Sequence, residues 1–276
     1  MAVVYAVVNQ KGGVGKTTTA VNISAYLALS GASVLVVDTD PQGNCTSGLG
    51  VRRTNIERSI YDVLVNGSSI ENCVQSTSVK NLDVLPATLE LAAAEVELMP
   101  RISRETVLRN AIEHVQLNYE FIVIDAPPSL GLLTLNALCA ANALILPIQT
   151  EYYALEGISH LVRTIEMVRQ HINRTLEVAM VILTMADTRT KLAQQVAEEV
   201  HRHFEDCVSS TQVPRNIRLS EAPSHGLPIA LYDPRSRGAI AYKKLAQELL
   251  IDGEKRAGKR AGGSSIGNRT SSGQRH

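Results

Sequence analysis

Val3-Val4-Tyr5-Ala6-Val7-Val8, followed by Gln10-Lys11-Gly12-Gly13-Val14-Gly15-Lys16-Thr17-Thr18, is the stretch that decides the fold. The first six residues are apolar without alternation, as in a strand covered on both faces. The glycines after it let backbone N–H groups curl around phosphate oxygens, and a following helix adds positive potential at its N-terminus. Lys16 can neutralise the β/γ charge of a nucleotide, and Thr17 can offer a hydroxyl to Mg²⁺. Helical spacing runs over Thr17–Ser30 and stops at Gly31. Strand before, helix after and the Gly-Lys-Thr-Thr ending agree on a P-loop. Its phosphate cradle is expected to comprise Lys11, Gly12, Gly13, Val14, Gly15, Lys16, Thr17 and Thr18. Two features depart from G-x-x-x-x-G-K-[ST]: Gln10 fills the first glycine position, and Lys11 adds a second ammonium inside the loop. Two such charges repel unless more negative charge is present than one site requires.

Outward from that unit the alternation repeats. Apolar, β-branched runs at Ser33–Asp38, Leu82–Pro86, Phe121–Asp125, Ala143–Pro147 and Val178–Thr184 alternate with helical patterns at Arg104–Gln116, Leu155–His171 and Leu192–Phe204. Short connections between unlike elements mean parallel βαβ units. The predicted architecture is therefore α/β, a doubly wound, mostly parallel sheet flanked by helices, with its ligand site beyond the carboxyl ends of the strands. Two strands end in acids at that edge: Val34–Val37 runs into Asp38-Thr39-Asp40-Pro41-Gln42-Gly43, and Phe121–Ile124 into Asp125-Ala126-Pro127-Pro128. A strand-end Asp can simply cap a turn. With a P-loop in the same sheet, Asp125 is expected to hold Mg²⁺, directly or through water.

At 276 residues the chain has ample length for a buried core. Hydrophobic residues make up 45% but aromatics only 4%, with no Trp, so the core must be aliphatic. Twenty-seven Lys and Arg balance 27 Asp and Glu, so any nucleic-acid contact must come from a local patch. Cys45, Cys73, Cys139 and Cys207 form no Cys-x-x-Cys pair, which argues against a zinc or paired-cysteine iron–sulfur site. The N-terminus lacks the basic region of a secretory signal, and no apolar run approaches the ~20 residues of a membrane span. A reducing cytoplasm is the expected compartment. From Asp252 the composition turns to Gly, Ser, Lys and Arg, with six basic against two acidic residues. The expected division is a P-loop ATPase domain over residues 1–251 and a disordered basic tail over 252–276.

Longer stretches carry a resemblance. Asp38–Asn44, Asp125–Thr134, Glu151–Gly157, Val213–Gly226 and Tyr232–Gly238 make the chain similar, over about residues 2–250, to the ParA/Soj chromosome-partitioning group of the deviant P-loop ATPases. The resemblance implies ATP and Mg²⁺ as cofactors and a homodimer closed around ATP, with Lys11 reaching the partner's phosphates. It implies Lys11, Lys16 and Asp40 as the catalytic set, Asp40 orienting water, and Thr17, Asp38 and Asp125 serving the metal. Pro214 and Asn216 would hold adenine, the amide offering donor and acceptor. Arg189 and Arg218 would bind double-stranded DNA through phosphates without sequence preference; the bland alternative for each is an exposed, salt-bridged arginine. Lys243 and Lys244 could extend that patch. A partner of the ParB/Spo0J type and a cytoplasmic, nucleoid-associated location are implied, with segregation and control of replication initiation both open as the task. The tail from Glu254 has one large aliphatic residue, Ile266, unlike the membrane-gripping helix of MinD, so no membrane contact is expected. The reading from another class is a regulatory or cargo-positioning ATPase that recruits a protein and no DNA.

Overall fold

The computed structural model describes residues 1–151, 154–186 and 190–263, without the side chains of 154–157 and 259–263. Among them, β1 (Val3–Val7), β2 (Val34–Asp38), β3 (Gln75–Ser76), β4 (Leu82–Leu85), β5 (Phe121–Asp125), β6 (Ala143–Gln149) and β7 (Glu177–Thr184) form one sheet in the order β3-β4-β2-β5-β1-β6-β7. Every pairing is parallel except that of β3 on β4. The chain steps from β1 to one side and later returns across it to β6, so a topological switch point lies at β1, where such sheets bind ligands. Register sharpens the placement. Val7 pairs with Asp125, and Asp38 also pairs with Asp125, so three strands end level and deliver the P-loop and two acids to one edge.

The helices are α1 (Lys16–Leu29), α2 (Asn44–Gly48), α3 (Ile60–Leu64), α4 (Leu91–Glu97), α5 (Val107–Val115), α6 (Leu132–Ala140), α7 (Ala154–His171), α8 (Lys191–Phe204), α9 (Ile217–Glu221), α10 (Ile229–Tyr232) and α11 (Arg237–Gly263). Successive strand residues point to opposite faces, and both faces are covered. Val3, Tyr5, Val7, Val34, Val36 and Val123 pack with α1 and α11, while Val4, Ala6, Leu35, Val37, Ile122 and Ile124 pack with α3 to α8. That double cover explains the unbroken apolar strands in the sequence. It also explains α6, which gave no helical period: Leu133, Thr134 and Asn136–Ala140 are all buried, so no polar face exists to mark one. No helix among the described residues is long and apolar enough to cross a membrane.

The expected boundary at Asp252 does not hold. Helix α11 continues to Gly263, because Asp252 Oδ2 accepts the buried Tyr5 hydroxyl at 2.7 Å and Arg256 Nε at 2.6 Å, while Arg256 also pairs with Glu177 at 2.7 Å. Gly253 lies against the Phe121 ring, where a Cβ would come within 2.4 Å. Residues 264–276 of the expected tail lie outside the described residues.

Candidate active site

The P-loop closes on itself before any ligand is considered. Gly13 and Gly15 have φ of +75° and +91°, a region that side-chain-bearing residues rarely adopt. Gly15 thereby caps α1, whose first turn carries no acid to compete with a phosphate. Lys16 begins that helix, is only 7% exposed, and donates from Nζ to the Lys11 carbonyl at 3.1 Å. Its burial lowers its pKa, opposed by the charges of Asp125 and Asp40. Neighbouring strands and α7 pin the loop. Asn9 accepts from Lys11 N (3.0 Å) and donates to the Pro147 carbonyl (2.8 Å), and Thr184 Oγ1 donates to the Val14 carbonyl (2.8 Å). Gln10, the first departure from the usual pattern, donates to Thr164 Oγ1 on α7 at 2.9 Å, a reach that glycine lacks.

The two paired strand-end acids differ in kind. Asp38 has both oxygens engaged: Oδ2 accepts Thr46 N (2.8 Å) and Thr46 Oγ1 (2.7 Å), and Oδ1 accepts Asp40 N (3.1 Å). It shapes the turn that carries Asp40, and burial, offset by those hydrogen bonds, leaves its pKa pushed up to about 6. Asp125 is equally buried, yet neither of its oxygens has a hydrogen-bond partner of normal geometry. Burial and the neighbouring Asp38 charge push its pKa well above the carboxylate range, while the nearby Thr17 hydroxyl and Lys16 favour the charged form. A buried carboxylate with unspent oxygens beside a hydroxyl is a donor set that fits a hard divalent cation. Asp40 is half-buried, with Oδ1 accepting Gln42 N at 2.9 Å. Its loop is tightly built: Gly43 has φ +60°, and a Cβ there would stand 2.9 Å from the Ala87 carbonyl oxygen. Cys45 lies under this cluster, its thiol pushed well up by burial and then by Asp125, Asp38 and Asp40, which makes it inert.

The remaining expected residues fall in different circumstances. Val213 N donates to the Leu183 carbonyl and Pro214 bridges Ala186, so Pro214 and Asn216 follow the end of β7 beside the P-loop contact of Thr184. Asn216 caps α9, its Oδ1 accepting Arg218 N at 2.9 Å, which spends the acceptor end and leaves the NH₂ end as its donor. Arg218 is exposed and ion-paired with Glu221 (2.8 Å) and Asp233 (3.4 Å). Arg189 lies outside the described residues. Sequence reading missed Asn9, Thr46 and Thr184. Only Thr46 had a local signal, a hydroxyl in the first turn of a helix right after an acidic strand end.

Fold, loop and acids put the molecule among the P-loop ATPases. More narrowly, the chain belongs to the ParA/Soj family of chromosome-partitioning ATPases. The AAA domain family matches residues 2–178. The chain is 55% identical over 253 residues to sporulation initiation inhibitor protein Soj of Bacillus subtilis, covering 92% of this chain and 100% of that one. It is 49% identical to the chromosome-partitioning ATPase Soj of Treponema pallidum, covering 90% and 97%. Among solved structures it resembles cobyrinic acid a,c-diamide synthase from Mycobacterium smegmatis with bound ADP and magnesium, at 37% identity and a TM-score of 0.79, covering 91% and 94%.

Proposed function

We propose that the protein is a Mg²⁺-dependent ATP switch: ATP closes a symmetric sandwich dimer, the dimer binds double-stranded DNA without sequence preference, and hydrolysis releases it. It would work in chromosome partitioning in the cytoplasm, on the nucleoid, with a ParB/Spo0J-type protein stimulating turnover. The observation that carries this reading is the contrast between a finished floor and an open lip. Lys16, Asp38 and Asp125 are buried, the two acids level in the sheet, whereas Gly12 and Gly13 are exposed and, among the described residues, no heavy atom lies within 4 Å of where a Gly12 Cβ would stand. That leaves room for a second P-loop.

The roles follow from position. Backbone N–H groups of Gly12–Thr18 would cradle the phosphates, with Lys16 on the β/γ oxygens and the partner's Lys11 arriving across the seam. Thr17 and Asp125 would hold Mg²⁺, which when bound neutralises phosphate charge. Asp40, kept in place by Asp38 and Thr46, would orient the attacking water, and the Asn216 NH₂ would donate to adenine beside Pro214. Little covalent work falls to the protein, so positioning and charge carry the rate.

DNA binding measured with ATP, with ADP and without nucleotide tests the reading. Binding with ATP alone is expected, and ATP-driven dimers without DNA affinity would favour a protein-recruiting ATPase. Gly12→Val separates the seam from the pocket: among the described residues nothing stands within 4 Å of the new Cβ, so ATP binding should persist while light scattering with ATP reports monomer. A stable ATP dimer of Gly12→Val would place Gly12 away from the seam.

A further inference from the structure

Of the two residues that depart from the ordinary P-loop pattern, Lys11 is accounted for by a sandwich dimer and Gln10 is not. Gln10 Nε2 donates to Thr164 Oγ1 at 2.9 Å, and Thr164 Oγ1 donates to the His160 carbonyl, one turn earlier in α7, at 3.0 Å. A hydroxyl has one proton. With that proton on His160, Thr164 can only accept from Gln10, so the amide has to present its NH₂ end to α7. Thr164 is 6% exposed, and the space left between loop and helix, walled by Leu130, Leu138 and Leu161, is about 10 Å³, no more than a single water requires. The contact is therefore direct and closely packed.

What the tie fixes is the backbone of the next residue. Asn9 is held to the Pro147 carbonyl and accepts Lys11 N, Lys16 Nζ donates to the Lys11 carbonyl, and Gln10 is anchored on α7. Both peptide groups that flank the Lys11 Cα are thus pinned, so the direction in which its side chain leaves the loop is set by the fold. A side chain that has to reach a second site loses less freedom when its root is already fixed. Once ATP draws Lys16 onto its phosphates, the Lys11 carbonyl gives up that ammonium, and the ties through Asn9 and Gln10 remain. The glycine of an ordinary loop has no side chain to supply the second. We propose that Gln10 is a positioning residue: bonded to Thr164, it sets the P-loop against α7 and so aims Lys11 at the partner's phosphates. The aim of Lys11 rests on the sandwich dimer proposed above; the tie to Thr164 does not.

Shape-conserving variants of the full chain isolate the hydrogen bond: Gln10→Met removes the donor and Thr164→Val the acceptor. Each leaves the protomer's own phosphate cradle in place, so affinity for a fluorescent ADP analogue, KM for ATP and the melting curve should stay at the parent values. ATP-driven dimerisation by light scattering and kcat should each fall roughly three- to tenfold, the range of one lost hydrogen bond. The double variant should be no worse than either single one, because both delete the same contact, and Thr164→Ser, which keeps the hydroxyl, should match the parent. A lower melting temperature with kcat unchanged would mark a merely structural contact and overturn the proposal, as would additive losses in the double variant. Lys11→Ala separates this role from the sandwich itself. If it abolishes ATP dimers while Gln10→Met and Thr164→Val leave them intact, the positioning role fails and the seam stands. If Lys11→Ala leaves dimers and kcat unchanged, the seam fails first, and with it the aim given to Gln10.

Discussion

Asp125 is a buried carboxylate whose oxygens have no hydrogen-bond partner of normal geometry among the described residues, which makes its charge costly in the absence of a ligand. Asp125→Asn removes the buried charge and should therefore stabilise the nucleotide-free protein near neutral pH, while abolishing hydrolysis. The pH dependence carries a definite sign. Asp38, at about 6, and Asp125, raised further by burial and the Asp38 charge, keep protons that the unfolded chain has released above about 4. Their contribution to stability is full below that pH and is lost as pH rises through the folded values. The gap in melting temperature between Asp125→Asn and the parent should widen from pH 5 to pH 7.5, and a constant gap would show an ordinary carboxylate. Asp40→Ala belongs to the same scale and differs in outcome. Its carboxylate is half-buried and, among the described residues, accepts the Gln42 N–H, so folding and ATP binding should survive. Turnover should fall about 10²–10⁴-fold, leaving an ATP-trapped dimer by light scattering; normal phosphate release would remove Asp40 from the water.

At the scale of elements, α11 packs in the apolar layer under the sheet through Tyr242, Leu245 and Leu249, and a few polar side chains tie its later turns to β1 and β7. Tyr5 is fully buried in β1, and its hydroxyl depends on Asp252, which Arg256 also grips from the next turn. A chain ended after Ile251 strands that hydroxyl and cuts Arg256 from Glu177. It should melt several degrees lower, since roughly 1–3 kcal/mol is at stake and each kcal/mol moves a domain of this size about 2–4 °C. A chain ended after Gly263 keeps every one of these contacts and should melt as the full chain does. Equal melting of all three would show that the Tyr5–Asp252 contact contributes nothing.

At the scale of the whole molecule, the proposed DNA surface has to overcome pairing already present. Arg218 holds Glu221 and Asp233 on an exposed face, where ion pairs contribute little to stability. Arg218→Glu should therefore leave folding and ATP-driven dimerisation intact. It should weaken DNA binding alike for all sequences, with the salt slope smaller by about one per arginine and so by about two per symmetric dimer. An unchanged slope with unchanged affinity would confine Arg218 to its salt bridges. Because this chain's charge is balanced overall, the patch has to act locally.

The parallel sheet, the P-loop and the acidic edge were legible in the sequence because each leaves a local mark: unbroken apolar runs for strands covered on both faces, glycines and a lysine for the phosphate turn, and acids at strand ends. Elements covered all round, such as α6, and the two-residue polar β3 leave none. The tertiary structure alone decided which acid is spent and which is open. Asp38 and Asp125 end similar strands in the same register, but only Asp38 faces the Thr46 turn. It alone showed that a polar, glycine-containing segment after Ile251 stays helical, since Asp252 and Arg256 find their partners in β1 and β7, 247 and 79 residues away along the chain. Local pattern reports what a residue prefers; what it bonds to depends on which distant segment the fold brings beside it.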